Sequence, residues 1–227
     1  MPRPRLFVAL LAFLALTAAG CTKNDTASNL PAGSQLLTES ATATTALTSA
    51  HVKIDTEGEV GTLPMRQANG DLLRTGDAKG TIQLSQFGVL IEYEFVVVGK
   101  DIYLKGATGG WQKVDAAVAA AIYDPSAILD PNRGIAKLLT TAKDPVTEAK
   151  ESVNGRDAYR VAVKLDSSAV AALVPGITGE VTGKLWIDAE TKHLLKAVLT
   201  VPGNAGKAGT VTINVTNINT PVTISAP

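Results

Sequence analysis

The chain has 227 residues, with 21 basic and 21 acidic side chains and a net charge of zero at neutral pH. That balance, with no lysine- or arginine-rich block, excludes a nucleic-acid binder that works through counterion release. Apolar residues make up 45% of the chain and aromatic residues only 4%, so a broad sheet lined with small aliphatics is expected to close on itself imperfectly and leave a hollow.

The N-terminus reads as an export signal. Arg3 and Arg5 precede the apolar run Leu6 to Ala19, which fits a signal-peptide core and falls short of the roughly 20 residues of a spanning helix. Ala18-Ala19-Gly20 then lead into Cys21, the only cysteine. A disulfide has no partner here, and a zinc site needs about four ligands, whereas the two histidines, His51 and His193, are far away in sequence. Small-small-Cys after an apolar run resembles the bacterial lipobox, in which the thiol is diacylglycerated and the signal is cut before it. Ala18 stands where that motif usually has leucine, and the alternative is a plain signal peptide with a leftover thiol. Two acyl chains give stable anchoring where one does not. The expected organisation is a lipoprotein signal peptide over 1–20, a lipidated tether over 21–34 and a single domain over 35–227. The tether sequence "TKNDTASNLPAGS" is polar, small and turn-forming.

The body opens with "SQLLTESATATTALTSA", Ser34 to Ala50. It places Leu36, Leu37, Ser40, Thr44 and Leu47 on one helical face, and predicts an amphipathic helix despite its threonines. The period then changes to two. Val52 and Ile54 alternate with Lys53 and Asp55. Ile91, Tyr93, Phe95 and Val97 alternate with Glu92 and Glu94, and Gly88 and Gly99-Lys100-Asp101 supply turns. These are signs of an antiparallel meander with one dry and one wet face.

From Ala116 to Pro145 the pattern is helical. Asp124-Pro125 and Asp130-Pro131 each look like a helix start, with Asp as N-cap and Pro at the first helical position. The last segment carries Ile135, Leu138 and Leu139. Strands resume with Tyr159, Val161, Val163 and Leu165. "SSAVAALVPG" reads as a short helix ended by Pro175-Gly176, and "EVTGKLWIDAETKHLLKAVLTVPG" as a hairpin turning near Ala189-Glu190-Thr191. Val211, Ile213 and Val215 make a further strand. About nine or ten strands with helices on one side give an α+β architecture. So many strands must curl, and the helices must cover the dry concave face. The expectation is a half-open barrel with a lumen beneath its helices.

Catalytic signatures are missing: there is no G-x-S-x-G elbow, no H-E-x-x-H and no Walker loop. No cofactor or metal is expected. His51 and His193 read as solvated surface residues, Glu92 and Glu94 as a wet outer face, and Trp111 and Trp186 as packing or rim residues.

"FVVVGKDIYLKG…GGWQKV", "AIYDPSAILDPNRGIAKLL", "LWIDAETKHLLKAVL" and the ending "PVTISAP" resemble the actinobacterial lipoproteins of the LppX/LprA/LprF/LprG group. The likeness runs from about Leu36 to Pro227, and Tyr123 to Gly134 is its most specific part. One departure is "INVTNINTPV", which lacks an aromatic before the closing Pro-Val. The resemblance implies a fold like that of the LolA and LolB carriers: a U-shaped antiparallel sheet, a half-barrel, with helices over its concave face and an apolar cavity between. It implies a membrane-anchored lipoprotein that carries acylated lipids or glycolipids through the cell envelope, held at the outer face of the cytoplasmic membrane by a lipid on Cys21. An envelope lipid transporter is among the partners it implies. The candidate acyl-chain contacts are Ile54, Ile82, Ile91, Tyr93, Phe95, Val97, Leu138, Leu139, Leu173, Leu185, Ile187, Leu195, Leu199 and Ile213. The segments Pro125 to Ala142 and Ser167 to Ile177 are the expected gates. Two other readings stay open: a structural or accessory lipoprotein with a solid fold, and a hydrolase with an unrecognised site.

Overall fold

The protein is described by a computed structural model over residues 30–58, 60, 64–115, 125–171, 173, 177, 179–202 and 207–227. Cys21, the signal segment, most of the tether, Tyr123, Asp124 and Pro175-Gly176 lie outside the described residues.

The strands are β1 (Ser49–Glu57), β2 (Met65–Leu73), β3 (Ala78–Gln86), β4 (Val89–Val98), β5 (Asp101–Lys105), β6 (Gln112–Val114), β7 (Lys143–Val153), β8 (Arg156–Leu165), β9 (Val181–Asp188), β10 (Leu194–Pro202) and β11 (Ala208–Thr216). They form one antiparallel sheet of 11 strands in the order β6-β5-β4-β3-β2-β1-β11-β10-β9-β8-β7. The sheet is curved and open, with β6 and β7 at its edges.

This order fixes where the helices lie. Two meanders, β1–β6 and β7–β11, join centrally where β1 pairs with β11. The connection from β6 to β7 must travel from one edge of the sheet to the other. It crosses the concave face, carrying a 3-10 turn (Pro125–Ala127) and a helix, α2 (Ile135–Thr141). The opening helix α1 (Gly33–Thr45) packs on α2, and a short helix, α3 (Ser167–Ala171), adjoins α2. The expected half-barrel with helices over its concave face is the architecture found.

Helix α1 has the expected face: Leu36, Leu37, Ser40 and Thr44 are buried. Its threonines are accommodated by back-bonding. The hydroxyls of Thr38, Thr42 and Thr44 donate to the carbonyls of Ser34, Thr38 and Ser40 at 2.8–3.0 Å. The helix ends at Thr45 rather than Ala50, because Ser49 and Ala50 are taken into β1 opposite Leu73 and Leu72. The Asn219 side chain accepts from the Thr48 N–H at 2.9 Å at this corner.

Three strands have no counterpart in the sequence expectation: β2, β6 and β7. β7 carries Pro145 and few apolar residues, which an edge strand tolerates. β2, "MRQANGDLL", carries Asn69, Gly70 and Asp71 within the strand, residues depleted in strands generally. The Asp130-Pro131 helix start is corrected too. The Asp130 carboxylate accepts from the Asn132 N–H and the Arg133 guanidinium, each at 2.8 Å, which closes a turn. Helix α2 starts later, with Gly134 at its N-cap. A Cβ on Gly134 would stand 2.1 Å from the Ile128 carbonyl oxygen and 2.3 Å from that of Ala127, so the chain can pass here only as glycine.

Candidate lipid cavity

The concave face is not uniform. Over β7–β11 and β1 it is filled. Leu185, Ile187, Leu199, Ile213 and Ile54 are buried there with Leu36, Leu37, Leu138, Leu139, Val170 and Leu173 from the covering segments, in one continuous core. Over β2–β5, Leu72, Ala78, Leu84 and Val97 join that core, but Ile82, Tyr93, Phe95 and Ile102 are only partly buried. A cavity of about 230 Å³ lies there. It is lined by Ala68 of β2, Ile82, Leu84 and Gln86 of β3, Tyr93, Phe95 and Val97 of β4, Ile102 and Leu104 of β5, and Pro125. A narrow extension of about 20 Å³ shares Ala68, Phe95 and Pro125 and reaches Ile54 and Ile128.

The alternation of each strand builds this lining. Register places Ile82 opposite both Ala68 and Tyr93, and Phe95 opposite Leu104. Ala68 is small, so space remains above β2 where a larger side chain would fill it. Among the described residues, the lining offers Gln86 and the Tyr93 hydroxyl as polar side-chain groups. Such a surface selects for apolar ligands by burial, at about 25 cal/mol per Å².

The opposite face carries the charges. Glu92 accepts from Gln83 at 2.9 Å and Glu94 pairs with Lys105 at 2.8 Å. Arg160 bridges Glu148 and Glu151 at 2.8 Å each. The indole of Trp186 donates to Glu151 and, with charge from Arg160, holds that carboxyl below its ordinary range. His51 is half-buried between Asp71 at 2.7 Å and Asn69 at 2.8 Å. His193 is half-buried as well, and burial with the nearby Arg156 charge pushes its pKa down against the pull of Asp188. Neither histidine is the freely solvated residue expected, and neither lines the cavity. Trp111 lies half-buried beneath the Lys105 ammonium, 5.7 Å from the ring centre.

The fourteen candidate contacts therefore separate. Ile82, Tyr93, Phe95 and Val97 line the cavity, and Ile54 lines its extension. Leu138, Leu139, Leu173, Leu185, Ile187, Leu199 and Ile213 belong to the filled core. Ile91 shares the concave face of β4 but stands nearer the β3–β4 turn, half-exposed and outside the lining. Leu195 is a correction. A bulge between Leu194 and Lys196 turns it to the convex face, where it packs with Ala158 and Trp186. Of the two expected gates, the first contributes Pro125 to the lining, while its Ile128, Leu129, Leu138 and Leu139 are anchored in the core. Five described lining residues escaped the sequence reading, Ala68, Leu84, Gln86, Ile102 and Leu104, while Pro125 was expected only as the start of a gate. Leu84 continues the alternation of Ile82, and Ile102 and Leu104 flank Tyr103, so those three were within reach of the pattern.

The family model described as LppX_LprAFG lipoprotein matches residues 32–224. The lipoarabinomannan carrier protein LprG of Mycolicibacterium smegmatis is 36% identical over 215 residues, covering 89% of this chain and 91% of that protein. The LprG of Mycobacteroides abscessus is 32% identical over 99% of this chain and 98% of its own length. Among solved structures, LprF from Mycobacterium bovis superposes with a TM-score of 0.75 at 26% identity, over 86% of this chain and 96% of that one. LppX of Mycobacterium tuberculosis has the same fold, with a TM-score of 0.62 at 23% identity over 84% and 98% of the two chains. The chain belongs to the LppX_LprAFG lipoprotein family.

Proposed function

We propose that the protein is a lipid carrier of the cell envelope that shelters acyl chains of a lipid or glycolipid in the cavity over β2–β5. The observation that carries this reading is the asymmetry of the concave face. One half is filled by helices, and the other presents Ile82, Tyr93, Phe95, Ile102 and Leu104 to an apolar hollow. A filled accessory fold has no reason to leave these side chains partly bare. The relatives named as lipoarabinomannan carriers support a glycolipid among the possible cargoes.

The half-open hollow of about 230 Å³ lies under the about 300–1,000 Å³ of typical ligand sites. It accommodates part of one chain within walls. Further length lies along the open side, against the half-buried residues of β4 and β5. Each methylene gains about 0.8 kcal/mol on leaving water, but a bilayer offers nearly the same. Exchange between protein and membrane is then close to thermoneutral, and the protein needs no fuel. We assign it no catalytic step.

The anchored form completes this reading. Residues 1–20 act as the export signal, Cys21 carries the lipid, 21–34 tether the domain that follows, and the protein works at the outer face of the cytoplasmic membrane with an envelope lipid transporter as partner. Cys21→Ala tests the anchor. The mutant is expected to lose lipid attachment at Cys21 while the body keeps its melting temperature, and a mutant still acylated elsewhere contradicts it. Organic extraction of the purified protein, followed by lipid mass spectrometry, tests the cargo. A stoichiometric acylated lipid supports the carrier, and lipid-free protein after gentle purification from its native membrane contradicts it.

A further inference from the structure

The turn between β3 and β4 breaks two rules at once. Phe87 and Gly88 have φ of 51° and 80°, the left-handed pair that a two-residue hairpin requires and that Asn-Gly satisfies best. The β7–β8 hairpin of the same sheet uses that pair, Asn154 and Gly155, at 53° and 77°. In the β3–β4 turn a phenylalanine takes the asparagine position. A bulky aromatic in that region is an outlier. Its side chain is also fully exposed, at 106%. Local folding explains neither choice, and a strained residue of this kind points to function.

The neighbours extend the anomaly. Val89 and Leu90 are each 61% exposed. Val89 shares the concave face with Ile91 and Tyr93, and Leu90 lies on the convex one. The tip is therefore apolar on both faces. A protein groove would cover one face, whereas an isotropic apolar medium covers both. No charged residue occurs from Thr81 to Ile91. Three strand residues, at about 3.3 Å each, separate the turn from Glu92, which gives about the depth of the headgroup–acyl boundary. On the concave face Val89, Ile91, Gln86 and Leu84 lead from the tip to the cavity wall.

We propose that the Phe87-Gly88 hairpin is a membrane-entry element: it sinks into the outer leaflet and joins the bilayer interior to the cavity, so that acyl chains slide along Val89 and Ile91 without crossing water. The proposal rests on the carrier reading. The anchor geometry agrees with it. Pro31 is held at 2.7 Å by the Thr147 hydroxyl, and Gly33 abuts Pro145. Helix α1 runs from there toward the start of β1, so its first residues face the end of the strands at which the β3–β4 turn lies.

The test uses the mature acylated protein in phosphatidylcholine vesicles. The Phe87→Trp variant is expected to gain fluorescence that lipids brominated high on their acyl chains quench, equally in low and high salt because the tip is uncharged. The triple variant Phe87→Asn, Val89→Thr, Leu90→Thr restores the favoured turn residue, so its melting temperature should hold. Its uptake of lipid from vesicles is expected to slow by about tenfold or more, from the lost burial of three apolar side chains. Unquenched fluorescence, or unchanged uptake by the triple variant, overturns the proposal. So does protein-concentration-dependent shielding of position 87 without vesicles, which would assign the tip to a second copy. A fluorescent fatty acid supplied as monomers in solution separates the two readings. Parent and triple variant should load it equally. If the parent loads it from neither source, the carrier reading fails, whereas quenching at position 87 reports on the tip alone.

Discussion

Leu194 and Leu195 are adjacent in the chain and lie on opposite faces of the sheet. Leu194 sits opposite Ile187 in the main core, and Lys196 sits opposite Trp186, which leaves Leu195 as the extra residue of a bulge. It fills a separate cluster with Ala158 and Trp186. Leu195→Ala is therefore expected to act on stability alone, by roughly 2–4 kcal/mol, without changing lipid loading. Chemical denaturation and lipid-to-protein ratio check this. A loss of loading in a folded mutant would return Leu195 to the cavity side.

Ile82 stands over Ala68 in the centre of the lining. Ile82→Trp should occupy the hollow and reduce bound lipid while leaving the lipid-free melting temperature within about 3 °C, a change under roughly 1 kcal/mol for a domain of this size. Calorimetry of delipidated protein beside loading assays reads both effects.

Gly134 permits the close approach that starts α2 and holds Pro125 against the cavity. Its missing Cβ would collide with the carbonyls of Ala127 and Ile128. Gly134→Ala should cost roughly 1–3 kcal/mol by forcing the backbone to shift, and lower the melting temperature by about 2–4 °C per kcal/mol. A mutant as stable as the parent would show that the crossing segment is free to move.

Asp188 is 2% exposed. Burial pushes its pKa up, but bonds from the Thr191 N–H and hydroxyl, Arg156 and the Glu190 N–H outweigh it, and the net shift is downward. Asp188→Ala should cost about 1–3 kcal/mol by leaving the turn donors unpaired, read as a lower denaturation midpoint.

The same turn predicts an acid response. His193 has a folded pKa below its ordinary 6.5, so its contribution is present above pH 6.5 and is lost as pH falls through the folded value. Asp188 behaves likewise below its ordinary 3.8. Both signs agree: the native state binds fewer protons than the unfolded one, so stability falls on acidification. His193→Gln should flatten the first stage, between pH 6.5 and the folded histidine pKa, and leave the second. A melting temperature independent of pH in the first window would remove His193 from this role.

The sheet, the helix faces and the hairpin at 189–191 were legible because each follows a simple period. What stayed hidden depends on pairing. β7 is an edge strand whose proline and charges suit one unpaired side, and β2 pairs through Asn69, Gly70 and Asp71, so neither looks like a strand in isolation. The bulge at Leu195 reverses a face that period two alone assigns the other way. The division of the concave face into filled and hollow halves depends on where the β6–β7 crossing comes down, a consequence of strand order that no local window contains. Ala68 is the clearest case: its importance is the volume it does not fill.

The most direct measurement is native mass spectrometry of the purified protein, parent against Ile82→Trp and Leu195→Ala. The account predicts an acyl-lipid adduct on the parent, the same adduct on Leu195→Ala, and its loss from a folded Ile82→Trp. A parent without adduct, or an Ile82→Trp protein that keeps the full adduct, would contradict the cavity over β2–β5 as the place where lipid is held.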